Sequence, residues 1–497
     1  MSAIPRAGAS AMRAAESFEA VIGLEIHAQI LTRSKMFCGC STDYLTAPPN
    51  ANTCPVCLGL PGSLPVINRE AVRATIKTAL ALNCEVAEFT KFDRKNYFYP
   101  DLPKGYQISQ YDLPLSRRGF LEFEVDGSAR RCGITRVHLE EDTGKLLHAG
   151  AIHEAQSSLV NFNRSGVPLM EIVSEPDLRG AEEAREYAMR LRAILQYIGV
   201  NQGDMESGQL RCDANVSLRR RGAEAYGTKV EIKNMNSFRS IQRAIEYEIE
   251  RQAAVLEGGG RLVQETRGWN DARGITVSQR TKEYAEDYRY FPEPDLPPLE
   301  VSRAMVDEIR ADLPELPAAR RARFMRDYGL SGYDSSLLTS SRPKADFFEE
   351  TVRLGAPAKA AANLLLGPVN RELNVDQIEI DQSKLTPKHV MRIVALQAEG
   401  NISSTTAAQV VVAAFKTGVD PDQEIERRGL RQVSGDEDLK RWIEEALADP
   451  ASARSIADYR GGKEQALGFL VGHVMKRSSG RANPQRVSAM LRQALRP

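Results

Sequence analysis

The stretch Val21–Ile30 reads VIGLEIHAQI, and the fold of the chain is organised around it. Successive side chains of a β-strand point to opposite faces, so a strand here places Glu25, His27 and Gln29 on one face. The other face then carries the apolar Ile22, Leu24, Ile26 and Ala28. One face can pack while the other offers ligands. Taken alone, the pattern also suits an ordinary amphipathic strand whose polar face meets solvent.

Composition indicates a soluble chain of roughly three domains. Its 497 residues include 66 Lys plus Arg and 66 Asp plus Glu, so any contact with RNA must come from local basic patches. No apolar run approaches the ~20 residues of a membrane span. We expect a cytoplasmic protein that makes no membrane contact, with a flexible leader over residues 1–16.

The seven cysteines fall into a cluster and three single residues. Cys38, Cys40, Cys54 and Cys57 form two close pairs separated by a loop, a spacing that suits tetrahedral Zn²⁺. Four thiolates fill the coordination sphere, so the predicted zinc is structural, and the alternative is a reduced, metal-free loop. The single cysteines, 84, 132 and 212, are expected in the core.

Residues 91–114 interleave cations with aromatic side chains. Arg94, Lys95 and Lys104 are interleaved with Tyr97, Phe98, Tyr99 and Tyr106, and Pro100 and Pro103 lie between them. Such a stretch predicts an ordered functional loop that can hold phosphates or stacked bases. The alternative is a solvated loop with extended cations.

Acidic side chains recur on several predicted strands. A hairpin with its turn at Asp126-Gly127 leads into Glu140, Glu141 and Asp142, and alternation leaves open which of the two glutamates faces inward. Glu171 lies between apolar neighbours and is expected to be ion-paired. Further half-buried strands contain Arg211, Asp213, Asn215 and Ser217, and Lys229, Glu231 and Lys233.

These strands precede a proline-rich boundary at 290–300 and favour an antiparallel sheet with one packed and one open face. An open face lined with Glu, Asp and His suits hydrated Mg²⁺, and neighbouring Lys and Arg complement phosphate oxygens. No GxxxxGK[ST], GxGxxG or GxSxG motif is present. The chain therefore lacks both a P-loop and an evident hydrolytic nucleophile.

From about Val301 the sequence is typical of helices. Near the end of the chain, Lys476, Arg477 and Arg481 flank a flexible Ser-Ser-Gly turn. A basic turn between helices can bind phosphates, and the alternative is a solvated turn.

Long motifs resemble one family. They include VIGLEIH, FDRKNYFYPDLPKGYQISQ, NRSGVPLMEIVSEPDL, LRCDANVSL, EIKNMNSF, DYRYFPEPDLPPL and GFLVGHVMKRSSGRANPQ. On these the chain closely resembles the B subunits of bacterial tRNA-dependent aspartyl/glutamyl amidotransferases. The resemblance implies an α+β fold: a cradle-shaped domain on a mostly antiparallel sheet (17–300, zinc knuckle at 38–57), a helical domain (301–425) and a small all-helical tail that binds tRNA (426–497).

The same resemblance implies an ATP-dependent ligase. ATP phosphorylates the side-chain carboxylate of Glu-tRNA(Gln) or Asp-tRNA(Asn), and ammonia from a partner glutaminase displaces phosphate. The implied partners are the amidase A subunit and the small C subunit of a heterotrimer, together with mischarged tRNA. The zinc knuckle occurs in only some members, so that prediction rests on the spacing of the cysteines here.

The resemblance also implies roles for residues. His27, Glu141 and Glu171 would surround one Mg²⁺ and Glu25 and Asp213 a second, with Glu140 possible at either. Lys95 and Lys104, with Arg94, would lie near the phosphoryl site or the route by which ammonia arrives. Lys476, Arg477 and Arg481 would contact the body of the tRNA.

Two other hypotheses stay open at this point. A Mg²⁺-dependent phosphodiesterase acting on nucleic acid would also need paired acidic strands. A noncatalytic, zinc-stabilised tRNA-binding module would need only the cysteines and the basic tail.

Overall fold

The computed structural model describes residues 17–148, 157–281, 287–432, 436–478, 480 and 482–495. The predicted leader, 1–16, lies outside these residues, as does Arg481. The chain divides into two compact units, Met1–Leu316 and Pro317–Pro497. The first is built on a large, mostly antiparallel sheet and the second is helical, which confirms the predicted mixture of α and β structure.

The first unit contains sixteen strands among its described residues. They are β1 (Phe18–Gln29), β2 (Glu85–Val86), β3 (Phe89–Thr90), β4 (Asp93–Asn96), β5 (Tyr106–Ser109), β6 (Ser116–Val125), β7 (Ser128–Glu141), β8 (Lys145–His148), β9 (Ser158–Asn161), β10 (Pro168–Ser174), β11 (Leu210–Arg220), β12 (Val230–Lys233), β13 (Glu265–Asn270), β14 (Ile275–Thr281), β15 (Phe291–Pro292) and β16 (Leu299–Glu300).

The main sheet has nine strands in the order β14-β13-β12-β11-β1-β10-β7-β6-β2. The opening strand β1 is therefore the central one, with β11 and β10 as its antiparallel neighbours. Only β12 and β13 pair in parallel among the described strands of this sheet. Smaller sheets join β15-β4-β5, β16-β3 and β8-β9.

The apolar face of β1 is buried in the core, as its alternation predicts. Ile22, Leu24 and Ile26 are 0%, 1% and 2% exposed and belong to the cluster that fills this unit. Three helices cover that face of the sheet and supply the rest of the core: α1 (Arg69–Ala81), α2 (Ala181–Tyr197) and α3 (Phe238–Glu257). The helix α4 (Arg303–Ala311) packs on α1.

Local capping explains where two of these helices begin. The side chain of Asn68 accepts hydrogen bonds from the first turn of α1, and Ser237 does the same for α3. In the hairpin between β6 and β7, both Asp126 (φ 49°) and Gly127 (φ 74°) adopt left-handed backbone, as the predicted two-residue turn requires.

The second unit consists of helices in its described residues. They are α5 (Pro317–Tyr328), α6 (Gly332–Leu338), α7 (Arg342–Arg353), α8 (Ala358–Leu364), α9 (Asn370–Asp376), α10 (Pro387–Ala398), α11 (Ser404–Thr417), α12 (Pro421–Arg428), α13 (Asp436–Ala448), α14 (Ala453–Arg460), α15 (Ala466–Arg477) and α16 (Pro484–Ala494). The last four share a hydrophobic cluster of their own. Within the described ranges, no helix is both long and apolar enough to cross a membrane.

The aromatic and cationic stretch 91–114 differs from the predicted loop. It contains two short strands, β4 and β5, which pair with each other, and β15 adds to β4 from about two hundred residues later in the chain. Because this third strand is so distant in sequence, local patterns did not indicate the pairing.

We expect Ile22→Ala to lower the free energy of unfolding by about 2–5 kcal/mol, because it leaves a cavity under the central strand. Urea denaturation followed by circular dichroism measures this. The control is Val277→Ala, on the edge strand β14, where the side chain is 42% exposed and the expected change is within about 0.5 kcal/mol. Equal losses for the two variants would contradict this assignment of the core.

Candidate active site

Four polar residues lie opposite one another across the middle of the main sheet. In the strand register, Arg211 of β11 pairs with His27 of β1, His27 with Glu171 of β10, and Glu171 with His138 of β7. Directly opposite residues project on the same face, so these four side chains form a row across the sheet.

Two further glutamates, Glu25 and Glu140, adjoin this row. Together with three members of the row they form what we call the acid–histidine cluster: Glu25, His27, His138, Glu140 and Glu171. The His27 Nε2 atom lies 3.5 Å from Glu25 Oε1 and 3.4 Å from Glu171 Oε2. The His138 Nε2 atom lies 3.3 Å from Glu140 Oε1 and 3.8 Å from Glu171 Oε2. Glu171 thus belongs to two groups, each with ligand atoms close enough to hold one metal ion.

His138, Glu140 and Glu171 are buried and Glu25 and His27 half-buried, and the charges of the cluster shift the pKa values of its members. Burial opposes protonation of His27, but the hydrogen bond to Glu171 and the charges of Glu171 and Glu25 raise the pKa of His27 to about 9. Burial also opposes ionisation of Glu171, yet His138 and His27 hold its pKa below the usual range. For Glu25, burial and the charge of Glu171 raise the pKa. The prediction that Glu171 is paired is confirmed.

Two cations border the cluster. Arg136 Nη2 lies 3.2 Å from Glu171 Oε1. Lys95, on β4, has its Nζ 5.0 Å from the centre of the Tyr288 ring. Burial disfavours the charged form of Lys95, but the charge of Glu140 and other nearby groups raises its pKa overall. Lys95 therefore keeps its positive charge beside the carboxylates.

Glu141, expected with His27 and Glu171 around one Mg²⁺, has its carboxylate outside the acid–histidine cluster, and its role as a ligand stays a prediction. Its neighbour Glu140 accepts hydrogen bonds from Ser109 Oγ (2.8 Å) and Gln107 Nε2 (3.2 Å) on the cluster side. The Glu141 carboxylate instead pairs with Lys104 and accepts the Ile108 N–H (3.0 Å). Alternation along β7 sends the two neighbours to opposite faces.

Asp213 and Arg94 are also engaged elsewhere. Asp213 is the register partner of Glu25, but its carboxylate is bound by Lys233 at 2.5 Å. Arg94 makes a bidentate ion pair with the buried Glu293, with Nε 2.7 Å from Oε2 and Nη2 2.8 Å from Oε1. Neither is among the described groups that could hold a metal ion.

The four clustered cysteines meet in space as their spacing predicts. The Sγ atoms of Cys38, Cys40, Cys54 and Cys57 all lie within 4.8 Å of one another. Four sulfurs at 2.3 Å from a tetrahedral Zn²⁺ would be ~3.8 Å apart, so this donor set fits zinc. The single cysteines at 84, 132 and 212 are buried in the core, as predicted.

Two comparisons with known proteins agree with this geometry. Residues 20–307 match the family described as GatB/GatE catalytic domain, and residues 346–495 match the one described as GatB domain. The chain belongs to the GatB family.

Curated relatives are named as the B subunit of aspartyl/glutamyl-tRNA(Asn/Gln) amidotransferase. That of Moorella thermoacetica is 55% identical over 96% of this chain and 100% of its own length. Those of Carboxydothermus hydrogenoformans (52%) and Thermomicrobium roseum (53%) each cover 96% of this chain and 99% of the relative. GatB-family sequence thus extends through both units.

The basic turn near the end of this GatB-family chain is only partly described. Lys476 and Arg477 are exposed at the end of α15, and Arg481 lies outside the described residues. Arg477 is ion-paired with Asp449 at 2.5 Å. Its charge is therefore partly compensated within the unit.

Sequence reasoning missed His138 as a member of the site. It stands two residues before Glu140, on the same face of β7, and opposite Glu171. The alternation through Arg136, His138 and Glu140 is evident in the sequence, but the pairing of β7 with β10 is not. Only that pairing brings His138 to Glu171.

In metal-free protein, His27 should stabilise the fold in a pH-dependent way. Its pKa of about 9 exceeds the ordinary 6.5, so its stabilising effect is complete below about 6.5 and disappears as pH rises through 9. We therefore expect the stability difference between wild type and His27→Gln to shrink between pH 6 and pH 10. Urea denaturation in chelator at several pH values measures it, and a constant difference would contradict the assignment.

Proposed function

We propose that this chain carries the phosphorylation and amidation site of a tRNA-dependent amidotransferase. Its substrates are Glu-tRNA(Gln) and/or Asp-tRNA(Asn), whose side-chain carboxylate is phosphorylated by ATP and then amidated by ammonia. The observation that carries the proposal is the acid–histidine cluster on the central strands of a GatB-family catalytic domain. The similarity to the relatives is thus supported by side chains suited to this chemistry.

Mg²⁺ would be held by Glu25, His27 and Glu171, with Glu140 adjacent through the second group that contains Glu171. This donor set fits because its ligand atoms, two of them carboxylate oxygens, lie within 4.8 Å of one another at a partly exposed face. Bound there, Mg²⁺ would bridge phosphate oxygens and withdraw charge from them. Lys95 would relieve the remaining charge on the transferred group. A second Mg²⁺ at Glu25 and Asp213 would require the Asp213 carboxylate to break its ion pair with Lys233.

A cavity beside Glu25 suits the nucleoside of ATP. It has a volume of about 400 Å³ and continues the polar face of the sheet away from the cluster. Gly23 leaves room at its floor, and Asn215, Ser217 and Tyr226 offer amide, hydroxyl and aromatic contacts. Such groups can hydrogen-bond and stack on a base.

Lys104 and Glu141 line a separate cavity of about 200 Å³ next to Cys38 and Cys57. We propose that ammonia arrives through this cavity. The Lys104–Glu141 pair is buried and lies across the sheet from the acid–histidine cluster, where phosphorylation would occur. Since the sequence offers no hydrolytic nucleophile of its own, ammonia must come from a glutaminase partner, here an A subunit with a small C subunit. The basic turn at Lys476 and Arg477 would contact the body of the tRNA.

Phosphate release from ATP tests the proposal when mischarged tRNA and the partner subunits are present. We expect Glu171→Gln and His27→Ala to reduce it by about 100-fold or more, the scale of losing electrostatic stabilisation of phosphoryl transfer. Glu122→Gln, an exposed glutamate on β6, is the matched control and should be near wild type. Unchanged amidation in both site variants would refute the assigned site.

The same assay separates two other functions. A Mg²⁺-dependent phosphodiesterase would cleave nucleic acid without ATP. A noncatalytic tRNA-binding module would bind tRNA, and its cluster variants would leave ATP turnover by the assembled subunits unchanged.

The predicted zinc site can be tested independently of the active site. Purified protein should contain about one Zn per chain by elemental analysis, because four thiolates close a structural site. Cys54→Ser should lower the zinc content and the thermal stability, since metal binding contributes to folding. Cys212→Ser is the control for zinc content, which should stay unchanged because that thiol is buried apart from the others. A stable, zinc-free wild type would contradict the prediction.

A further inference from the structure

Gln29 completes the polar face of β1, and the proposed function gives it no role. The residue is 5% exposed, and its amide nitrogen donates to Asp142 Oδ2 (2.7 Å) while its amide oxygen accepts the Tyr44 hydroxyl (2.9 Å). Asp142 is also buried, and its two oxygens accept hydrogen bonds from Nη1 and Nη2 of Arg211 at 3.1 and 3.3 Å. The buried carboxylate of Asp142 therefore connects Gln29 with Arg211.

Arg211 is the more exposed partner of this ion pair and lies on the ligand face of the sheet. Its side chain is 34% exposed, against 3% for Asp142, and it is the register partner of His27. A guanidinium group has five N–H donors. In the described part of the chain, only two of those donors make hydrogen bonds, both to Asp142. Three donors, including the Nε–H, are thus left beside His27 in an orientation that Asp142 fixes.

The order of residues along β1 and β11 places Arg211 at one end of the site. On the ligand face the register pairs Gly23 with Asn215, Glu25 with Asp213, and His27 with Arg211. Successive pairs on one face are about 7 Å apart along the strands. The first pair lines the cavity proposed for the nucleoside, so the third pair lies about 13 Å from it. Arg211 is therefore at the end of the proposed metal site that is farther from the nucleoside.

Phosphoryl transfer places the accepting group at this end. The attacking and leaving oxygens lie roughly in line, on opposite sides of the transferred group. With ADP leaving toward the nucleoside cavity, the accepting carboxylate approaches from the side of Arg211.

The free donors of Arg211 suit a carboxylate. The Nε–H and the outer N–H of the adjacent Nη form a fork that binds a carboxylate through parallel, charge-assisted hydrogen bonds. A neutral amide has no charge to contribute and presents one oxygen in place of two. A carboxylate offers about four lone-pair positions, so one that is bound in this way can still attack phosphorus through another.

We propose that Arg211 binds the side-chain carboxylate of the mischarged aminoacyl group, and that Asp142, held by Gln29, is the positioning residue that orients Arg211. The inference rests on the proposed function and adds to it a residue that recognises the acidic substrate. It also favours release of the product, because the neutral amide formed by the reaction no longer pairs with the guanidinium group.

Two tRNAs with the same body and different aminoacyl groups test the proposal without turnover. Filter binding compares Glu-tRNA(Gln) with Gln-tRNA(Gln), using the full chain assembled with its partner subunits, in Mg²⁺ and without ATP. Contacts with the tRNA body cancel in the ratio of the two dissociation constants. Wild type should prefer the acidic group, and Arg211→Gln should reduce this preference about 10- to 100-fold, the scale of losing hydrogen bonds to a charged group.

Two further variants complete the experiment. Asp142→Asn should also reduce the preference, because the guanidinium group loses the carboxylate that orients it. Arg219→Gln is the matched control: Arg219 lies on the same strand and face and pairs with Glu19 at 2.6 Å, but it stands beyond the nucleoside cavity. Its ratio should equal that of wild type, and an unchanged ratio in Asp142→Asn would contradict the positioning role.

Three results would overturn the proposal. They are a wild type that binds both tRNAs equally, an undiminished preference in Arg211→Gln, and weaker binding of a nonhydrolysable ATP analogue by that variant with its preference intact. If Arg211→Gln does not assemble, Arg211→Lys decides, because it keeps the charge and lacks the planar fork. Its preference should fall as well, and a wild-type value would refute the assignment.

The two proposals fail differently. If Glu171→Gln and His27→Ala left amidation unchanged, the assigned site would be wrong and this inference with it. Amidation that depends on Glu171 and His27, together with an unchanged ratio in Arg211→Gln, would overturn this inference alone.

Discussion

Three carboxylates, Glu25, Glu140 and Glu171, share one buried region, and their mutual repulsion is the constraint on which the arrangement of the site depends. Two such charges about 5 Å apart cost about 3–4 kcal/mol at the effective dielectric constant of a protein. The sheet accommodates them by placing a histidine beside each and Lys95 and Arg136 at the border. A divalent cation bound between these carboxylates would relieve their repulsion further.

The same constraint explains why nearby acids are kept apart from the cluster. Glu141, Asp213 and Asp142 are each ion-paired with a nearby cation, namely Lys104, Lys233 and Arg211. Each of these pairs is satisfied locally, so it adds little net charge to the shared face. Alternation along β7 separates Glu141 from Glu140, whereas Asp213 lies on the face of Glu25 and is neutralised there by Lys233. A chain with three successive acids can in this way contribute to two different sites.

What the sequence could predict was limited by how far apart the interacting residues are. Alternation in Val21–Ile30 predicted both faces of β1, and the spacing of the four clustered cysteines predicted that their sulfur atoms lie together. Both patterns are local in the sequence. Which of Glu140 and Glu141 joins the cluster depends on hydrogen bonds from β5, so the sequence left the choice open. His138 required the register of β10 against β7. The roles of the cluster residues and the domain boundaries at 300 and 425 stay predictions.

The central position of β1 has a consequence for how the chain is made. Its two neighbours, β10 and β11, begin at Pro168 and Leu210, so β1 leaves the ribosome long before either is available. During that interval its apolar face and unpaired backbone resemble an exposed edge strand, which invites association with other chains. Formation of the sheet must await loop closure over more than a hundred residues, a slow step. The strand that organises the finished sheet is therefore exposed to association with other chains during synthesis.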